Sequence, residues 1–168
     1  MPTSVTSGPG VQVCSLKVDT PQLIAPGAYT IVRFPFGAGE PTDQFEMHQA
    51  QQPDGYVVTD WATDDRSGLI WPSRYGWGHL YAMIQWESGG YTELRDQYVR
   101  DPLGLGPSPN DTTGTEHRPR SIGMQCFVKN HGIFVYPDTP LALRVYHNDS
   151  QPRRLTLAEF KLAIHLAD

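Results

Sequence analysis

Residues 64–86 read DDRSGLIWPSRYGWGHLYAMIQW, a turn rich in Gly and Pro that runs straight into a stretch apolar on both parities. In an extended chain successive side chains point to opposite faces. Leu80, Ala82, Ile84 and Trp86 therefore share one side of a strand, and His79, Tyr81, Met83 and Gln85 share the other. The first set reads as the core of a sheet protein. The second carries a Tyr and a Met where a solvated face would be polar, which predicts a further surface laid over it, most simply another subunit.

The rest of the chain agrees with a β-rich reading. Its 168 residues include 16 Gly and 15 Pro, a share that suits many short strands joined by turns. The length suits one domain with a core that needs no metal or disulfide staple. A net charge of -5, with no basic run longer than Arg153-Arg154, leaves no electrostatic footprint for nucleic acid. No apolar run is long enough to span a bilayer. The opening MPTSVTSGPG lacks the charged and apolar regions of a secretory leader, so synthesis in a cytoplasm is expected. Cys14 and Cys126 lie far apart in no metal-ligand spacing and are compatible with free thiols or one bridge, buried free thiols being the expected state.

Residues 1–20 are expected to form a flexible arm in which an extended segment starts at Val11, and residues 21–168 the folded domain. Strands are expected over Tyr29–Phe36, Phe45–His48, Tyr56–Trp61, Leu80–Trp86, Tyr91–Val99, Ile122–Val128 and Leu141–His147, each bounded by turn residues. Lys129–Gly132 is expected to turn the chain. Residues 101–120 hold four prolines and three glycines and almost no large apolar side chain, which predicts a long surface loop. The tail from Leu155 to Leu166 is rich in helix formers. Phe160, Leu162, Ile164 and Leu166 alternate strictly, however, so it reads as a final strand with a bulge near Ala158-Glu159.

In this order the features resemble the jelly-roll superfamily of tumour necrosis factor and the globular heads of complement-like proteins, over roughly residues 25–167. The residues that carry the resemblance are Gly68-Leu69-Ile70-Trp71-Pro72 followed by Gly78-His79-Leu80-Tyr81. They continue with Ser121–Val128, Tyr136-Pro137-Asp138, Leu141–Val145 and the Phe-containing stretch Leu155–Ile164. The chain departs from the pattern at Lys161, where Gly is usual, and in the proline-rich segment from Asp101. The resemblance implies an antiparallel β-sandwich that assembles as a compact homotrimer, with inner-sheet aromatic residues packed around a threefold axis. Tyr81, Met83, Phe127, Tyr136 and Tyr146 are the candidates for that seam, being residue types enriched in interface cores.

Chemistry-bearing patterns are sparse. A jelly-roll metal enzyme of the cupin type needs a His-x-His pair and a Glu. The chain has no such pair, and Glu46 with His48, joined by His79 or His147, is the nearest alternative. No Gly-x-Ser-x-Gly, no catalytic Cys signature and no phosphate-binding glycine loop occurs. No catalytic residue, cofactor or metal site is therefore assigned. The one ligand-binding candidate is the loop holding Trp71, Arg74, Tyr75 and Trp77, where planar rings suit stacking on a sugar.

These readings converge on a non-enzymatic structural protein. The expectation is a homotrimeric jelly roll located on a virion, decorating a bacteriophage capsid or attached to its tail. Its partners would be itself and other virion proteins such as the major capsid or tail protein. The alternatives are a receptor-binding or carbohydrate-binding head of a tail adhesin, engaging a host surface glycan, and a cupin-like metal enzyme.

Overall fold

The computed structural model describes residues 10–37, 42–107 and 110–166. Among these residues nine strands occur: β1 (Val11–Val18), β2 (Gln22–Ile24), β3 (Thr30–Ile31), β4 (Gly76–Trp86), β5 (Glu93–Arg100), β6 (Asp111–Pro119), β7 (Gln125–Val135), β8 (Leu141–His147) and β9 (Arg153–His165). The first sheet has the order β1-β9-β4-β7, with β2 also paired to β9, and the second has the order β3-β8-β5-β6. Every pairing is antiparallel. The two sheets form an all-β, tumour necrosis factor-like jelly-roll sandwich.

The core lies between the sheets, as the alternation of β4 requires. Leu80, Ile84 and Trp86 point inward beside Phe160, Leu162 and Ile164 of β9, and meet Leu94, Tyr98, Leu143 and Val145 of the second sheet. Tyr98 stacks on Phe160 with ring centroids 6.0 Å apart, and Phe34 lies tilted on the same ring at 6.2 Å. Each such side chain fully removed from water contributes about 1.5–3 kcal/mol. Within the first sheet the side chains of β7 and β9 close over Gly78 of β4: a Cβ there would stand 2.8 Å from Val135 and 3.0 Å from Leu162, so a larger residue would displace the neighbouring strands' core side chains.

Several expectations change. Residues 11–18 are not part of an arm: they form β1, which pairs along β9 and buries Cys14, Leu16 and Val18. Residues 1–9 of the expected arm lie outside the described residues. Within Tyr29–Phe36, strand pairing is confined to Thr30–Ile31. Phe45–His48 is not a strand, because the Asp43 carboxylate accepts hydrogen bonds from the Met47 and His48 amides at 2.7 and 2.8 Å and wraps the backbone into a turn. Tyr56–Trp61 contributes one isolated bridge, Gln51 to Val57.

The expected long loop also contains a strand. Residues 111–119 form β6, an edge strand with no large apolar residue for periodicity to detect. Its register on β5 shifts between Asp96 and Tyr98, where Gly114 takes a φ of +61°, the left-handed conformation that lets a bulge form. Nor does Lys129–Gly132 turn the chain. β7 runs unbroken through it, because its partner β4 is equally long and the register continues from Trp86 opposite Gln125 to Gly76 opposite Val135. Ile122 and Met124 precede β7 in an exposed loop, and Ile122 is 99% exposed. The tail is a strand as expected, but its register irregularity falls at Thr156: Gln85 faces Leu157 while Trp86 faces Leu155.

Candidate functional site

The inward residues of β4 are held by the core, so its alternate residues must stand on the outer face of the first sheet. There Trp77, His79, Tyr81 and Met83 form a row, flanked on β7 by Val128 opposite Met83 and Phe134 opposite Trp77. Tyr75, before β4, and Tyr136, after β7, extend the row at one end. Tyr75 lies parallel to Phe134 at 6.1 Å and tilted against Tyr136 at 5.2 Å, while Trp77 meets Phe134 edge-on at 5.0 Å. His79 sits between Trp77, edge-on at 6.5 Å, and Tyr81, stacked at 5.9 Å. Tyr75, Trp77, Tyr81, Val128, Phe134 and Tyr136 each leave between 40% and 66% of their surface open. They form one contiguous patch rather than scattered surface hydrophobes.

The centre of the face is a shallow groove of about 230 Å³, lined by Tyr81, Met83, Val128, Asn130, Glu159 and Lys161. Its polar rim of Asn130, Glu159 and Lys161 around Tyr81, Met83 and Val128 is the pattern of a protein interface core with a wet margin. Trp77 keeps its place because its neighbour on β7 lacks a side chain: a Cβ on Gly132 would fall 2.5 Å from the indole.

The residues singled out from sequence are distributed unequally. Tyr81, Met83 and Tyr136, named for a seam, and Tyr75 and Trp77, named for a ligand, come together on this one face. Phe127 points into the sandwich edge, where the Arg118 guanidinium lies 4.6 Å from its ring centre. Tyr146 is on the opposite side of the molecule, against Tyr29 at 5.4 Å and under Arg95 at 4.4 Å. Trp71 is buried in a satellite cluster with Ile31, Leu69 and Ala142, its indole N–H donating to Gln52 at 3.3 Å, so its ring has no free face for a sugar. Arg74 is exposed in the turn ahead of β4. Val128 and Phe134 were missed as members of the face. They lie six residues apart on one parity of β7, and the assumed turn at Lys129–Gly132 hid that continuity.

The polar groups elsewhere serve the fold. At the edge between β6 and β7, Asp96 and Lys129, 2% and 1% exposed, meet at 3.1 Å. Arg118 binds Asp96, Glu116 binds Lys129 at 3.0 Å, and the Tyr98 hydroxyl donates to the Lys129 carbonyl. Inward-pointing charge of this kind also discourages edge-to-edge pairing with another sheet. Asp149 accepts from the Arg153 guanidinium and from the Ser150 and Gly90 amides, which hold its carboxyl down at about 2.

The residues of the metal-enzyme alternative are apart. Glu46 is exposed, whereas His48 is buried with Nε2 2.6 Å from the Ser67 carbonyl, and burial keeps its pKa below the ordinary value. His147 lies in the core, bonded through Nε2 to the Ile24 carbonyl at 2.8 Å, and His79 stands on the outer face. Among the described residues no group of three or more His, Cys, Asp or Glu side chains is placed to hold a metal ion. Both cysteines are free. Burial, reinforced by Asp43, pushes the Cys14 thiol up, while Cys126 is exposed rather than buried as expected.

What fold and face define is a tumour necrosis factor-like jelly roll with a bare aromatic sheet surface. Solved structures share the fold. The Eiger TNF of S. frugiperda matches with a TM-score of 0.60 at 13% identity, over 95% of this chain and 94% of that one. Murine APRIL at pH 5.0 matches with a TM-score of 0.57 at 9% identity, over 90% and 98% respectively. At such identities the likeness is one of fold. No protein-family model matches the chain, and no curated protein sequence matches it.

Proposed function

We propose that this protein is a self-associating, non-enzymatic head whose outer first-sheet face forms the seam of a homotrimer. The observation that carries this reading is the row of exposed aromatic and apolar side chains from Tyr136 and Tyr75 through Trp77 and Tyr81 to Met83 and Val128, with His79 set into it, which a solitary subunit leaves wet. The trimer is the assembly that the tumour necrosis factor-like resemblance implies, and a groove with a polar rim suits the docking of a neighbouring copy. Light scattering on the purified full chain tests it: the expected mass is three times that of the chain, and a monomer would overturn the reading.

The narrower form of the proposal is attachment to a bacteriophage capsid or tail. Its support is the acidic, Gly- and Pro-rich β-head itself, which has no assigned catalytic constellation and has a surface suited to assembly. Co-sedimentation of the protein with virions is the test, and a protein found free of particles would remove this form while leaving the trimer standing. The adhesin alternative draws on Tyr75 and Trp77, whose exposed rings suit sugar stacking. Because those rings belong to the proposed seam, glycan binding by the assembled trimer would count against the seam as drawn.

A further inference from the structure

His79 and His165 face each other on the outer surface of the first sheet. Nδ1 of His79 and Nε2 of His165 are 3.4 Å apart, with ring centroids at 5.5 Å and planes crossed at 75°. The placement follows from register. His79 on β4 stands opposite Ala163 on β9 and Gly132 on β7, and His165 stands opposite Trp77, one diagonal step away. Both cross-strand neighbours of His79 are small, so the space above the sheet beside its ring is open. The imidazole is steadied from both sides, by the Trp77 edge and the Tyr81 face.

A separation of 3.4 Å is long for a hydrogen bond. It is the bite of a tetrahedral metal ion: two imidazole nitrogens on Zn²⁺, each at about 2.0–2.1 Å, lie about 3.3–3.4 Å apart at the tetrahedral angle. Adjacent positions of an octahedron at the same bond length lie only about 2.9 Å apart. Among the described residues no carboxylate bonds to either ring, and each ring's only described polar side-chain contact is the other.

We infer that His79 and His165 form a two-histidine site for a tetrahedral divalent cation of the zinc class, with the remaining positions turned away from the sheet. The ion is held by Nδ1 of His79 and Nε2 of His165. The site does not depend on the proposed trimer, although it lies on the same face, and Met83 and Val128 are further along β4 and β7.

The test is a Zn²⁺ titration of the untagged full chain by calorimetry, with Co²⁺ as a spectroscopic probe whose visible absorption reports tetrahedral ligation. The expected result is one ion per chain and a tetrahedral Co²⁺ spectrum. His79→Ala and His165→Ala should each weaken binding about tenfold or more, while His117→Ala, a distant exposed histidine on β6, leaves it unchanged. Binding that survives both single variants, or wild-type protein that takes up no Zn²⁺, overturns the inference. A Val128→Lys variant separates the two proposals. It should be a monomer that still binds one ion; a wild-type trimer that takes up no Zn²⁺ sinks the metal site alone, and a wild-type monomer that binds one ion sinks the seam alone.

Discussion

On the outer face of the β3-β8-β5-β6 sheet, Tyr146 lies against Tyr29 and beneath Arg95, and Arg144 reaches over Tyr29 while bonding to Gln97. On the outer face of the β1-β9-β4-β7 sheet, Trp77 meets Phe134 and His79, Phe134 also meets Tyr75, Tyr81 stacks on His79, and these rings are otherwise open. Both sheets turn aromatic residues outward. The second sheet completes their surroundings within the subunit, with guanidinium groups over the rings and the Leu69–Trp71 segment packed on Ala142 and Ile31. Among the described residues the first sheet supplies no such cover. An outward aromatic is thus a sign of association only where the chain does not itself provide the lid.

The sharpest way to break this comparison is to charge both faces. Tyr81→Lys combined with Met83→Lys should abolish association outright, read as a fall to monomer mass with the far-ultraviolet circular dichroism retained. Tyr146→Lys should leave the mass unchanged. If both variants dissociated alike, the two faces would not differ as described.

Trp71 and Trp77, six residues apart, sharpen it next. Trp71→Ala empties a buried site and should cost about 3–5 kcal/mol of folding stability in denaturant titration. Trp77→Ala should barely move the monomer's stability and act on the association constant instead. Arg95→Ala uncovers Tyr146 and should cost about 0.5–1 kcal/mol, with no change of mass.

Thiol labelling separates inside from outside. Cys14, buried and held in its neutral form, should stay unmodified in the native protein, while Cys126, opposite Gln85 on the outer side of the first sheet, should react, and more slowly in concentrated than in dilute protein. The smallest effect lies in the β8–β9 turn. The Asp149 carboxyl, depressed to about 2 by Arg153 and by the Ser150 and Gly90 amides, stabilises the fold above the ordinary carboxylate range. That contribution falls away as pH drops through about 2. Asp149→Asn should flatten the acid limb of stability and leave the mass unaltered.

Sequence periodicity reached the elements whose core face is apolar. β4, β5, β8 and β9 stand close to where alternation places them, because burial on one side imposes period two on the residues. It failed at β6, DTTGTEHRP, whose inward side chains are charged and find partners in Asp96 and Lys129 from other strands, a pairing no local pattern encodes. It failed again at β7, where Lys129 and Asn130 look like a turn and are carried as strand by the register with β4. At the candidate face, Tyr81 and Met83 were legible from β4 alone. Tyr136 joined them through the jelly-roll resemblance, while Phe134 and Val128 required knowing that β7 is continuous. Tyr146 and Trp71 were assigned by residue type, and type does not reveal that Arg95 and Gln52 already satisfy them.

The mass of the 168-residue chain in solution at micromolar concentration, by multi-angle light scattering, bears most directly on the bare first-sheet face. The account predicts a single species of three chains that the Tyr81→Lys, Met83→Lys variant converts to one. A wild type that stays a stable single chain at that concentration would contradict it.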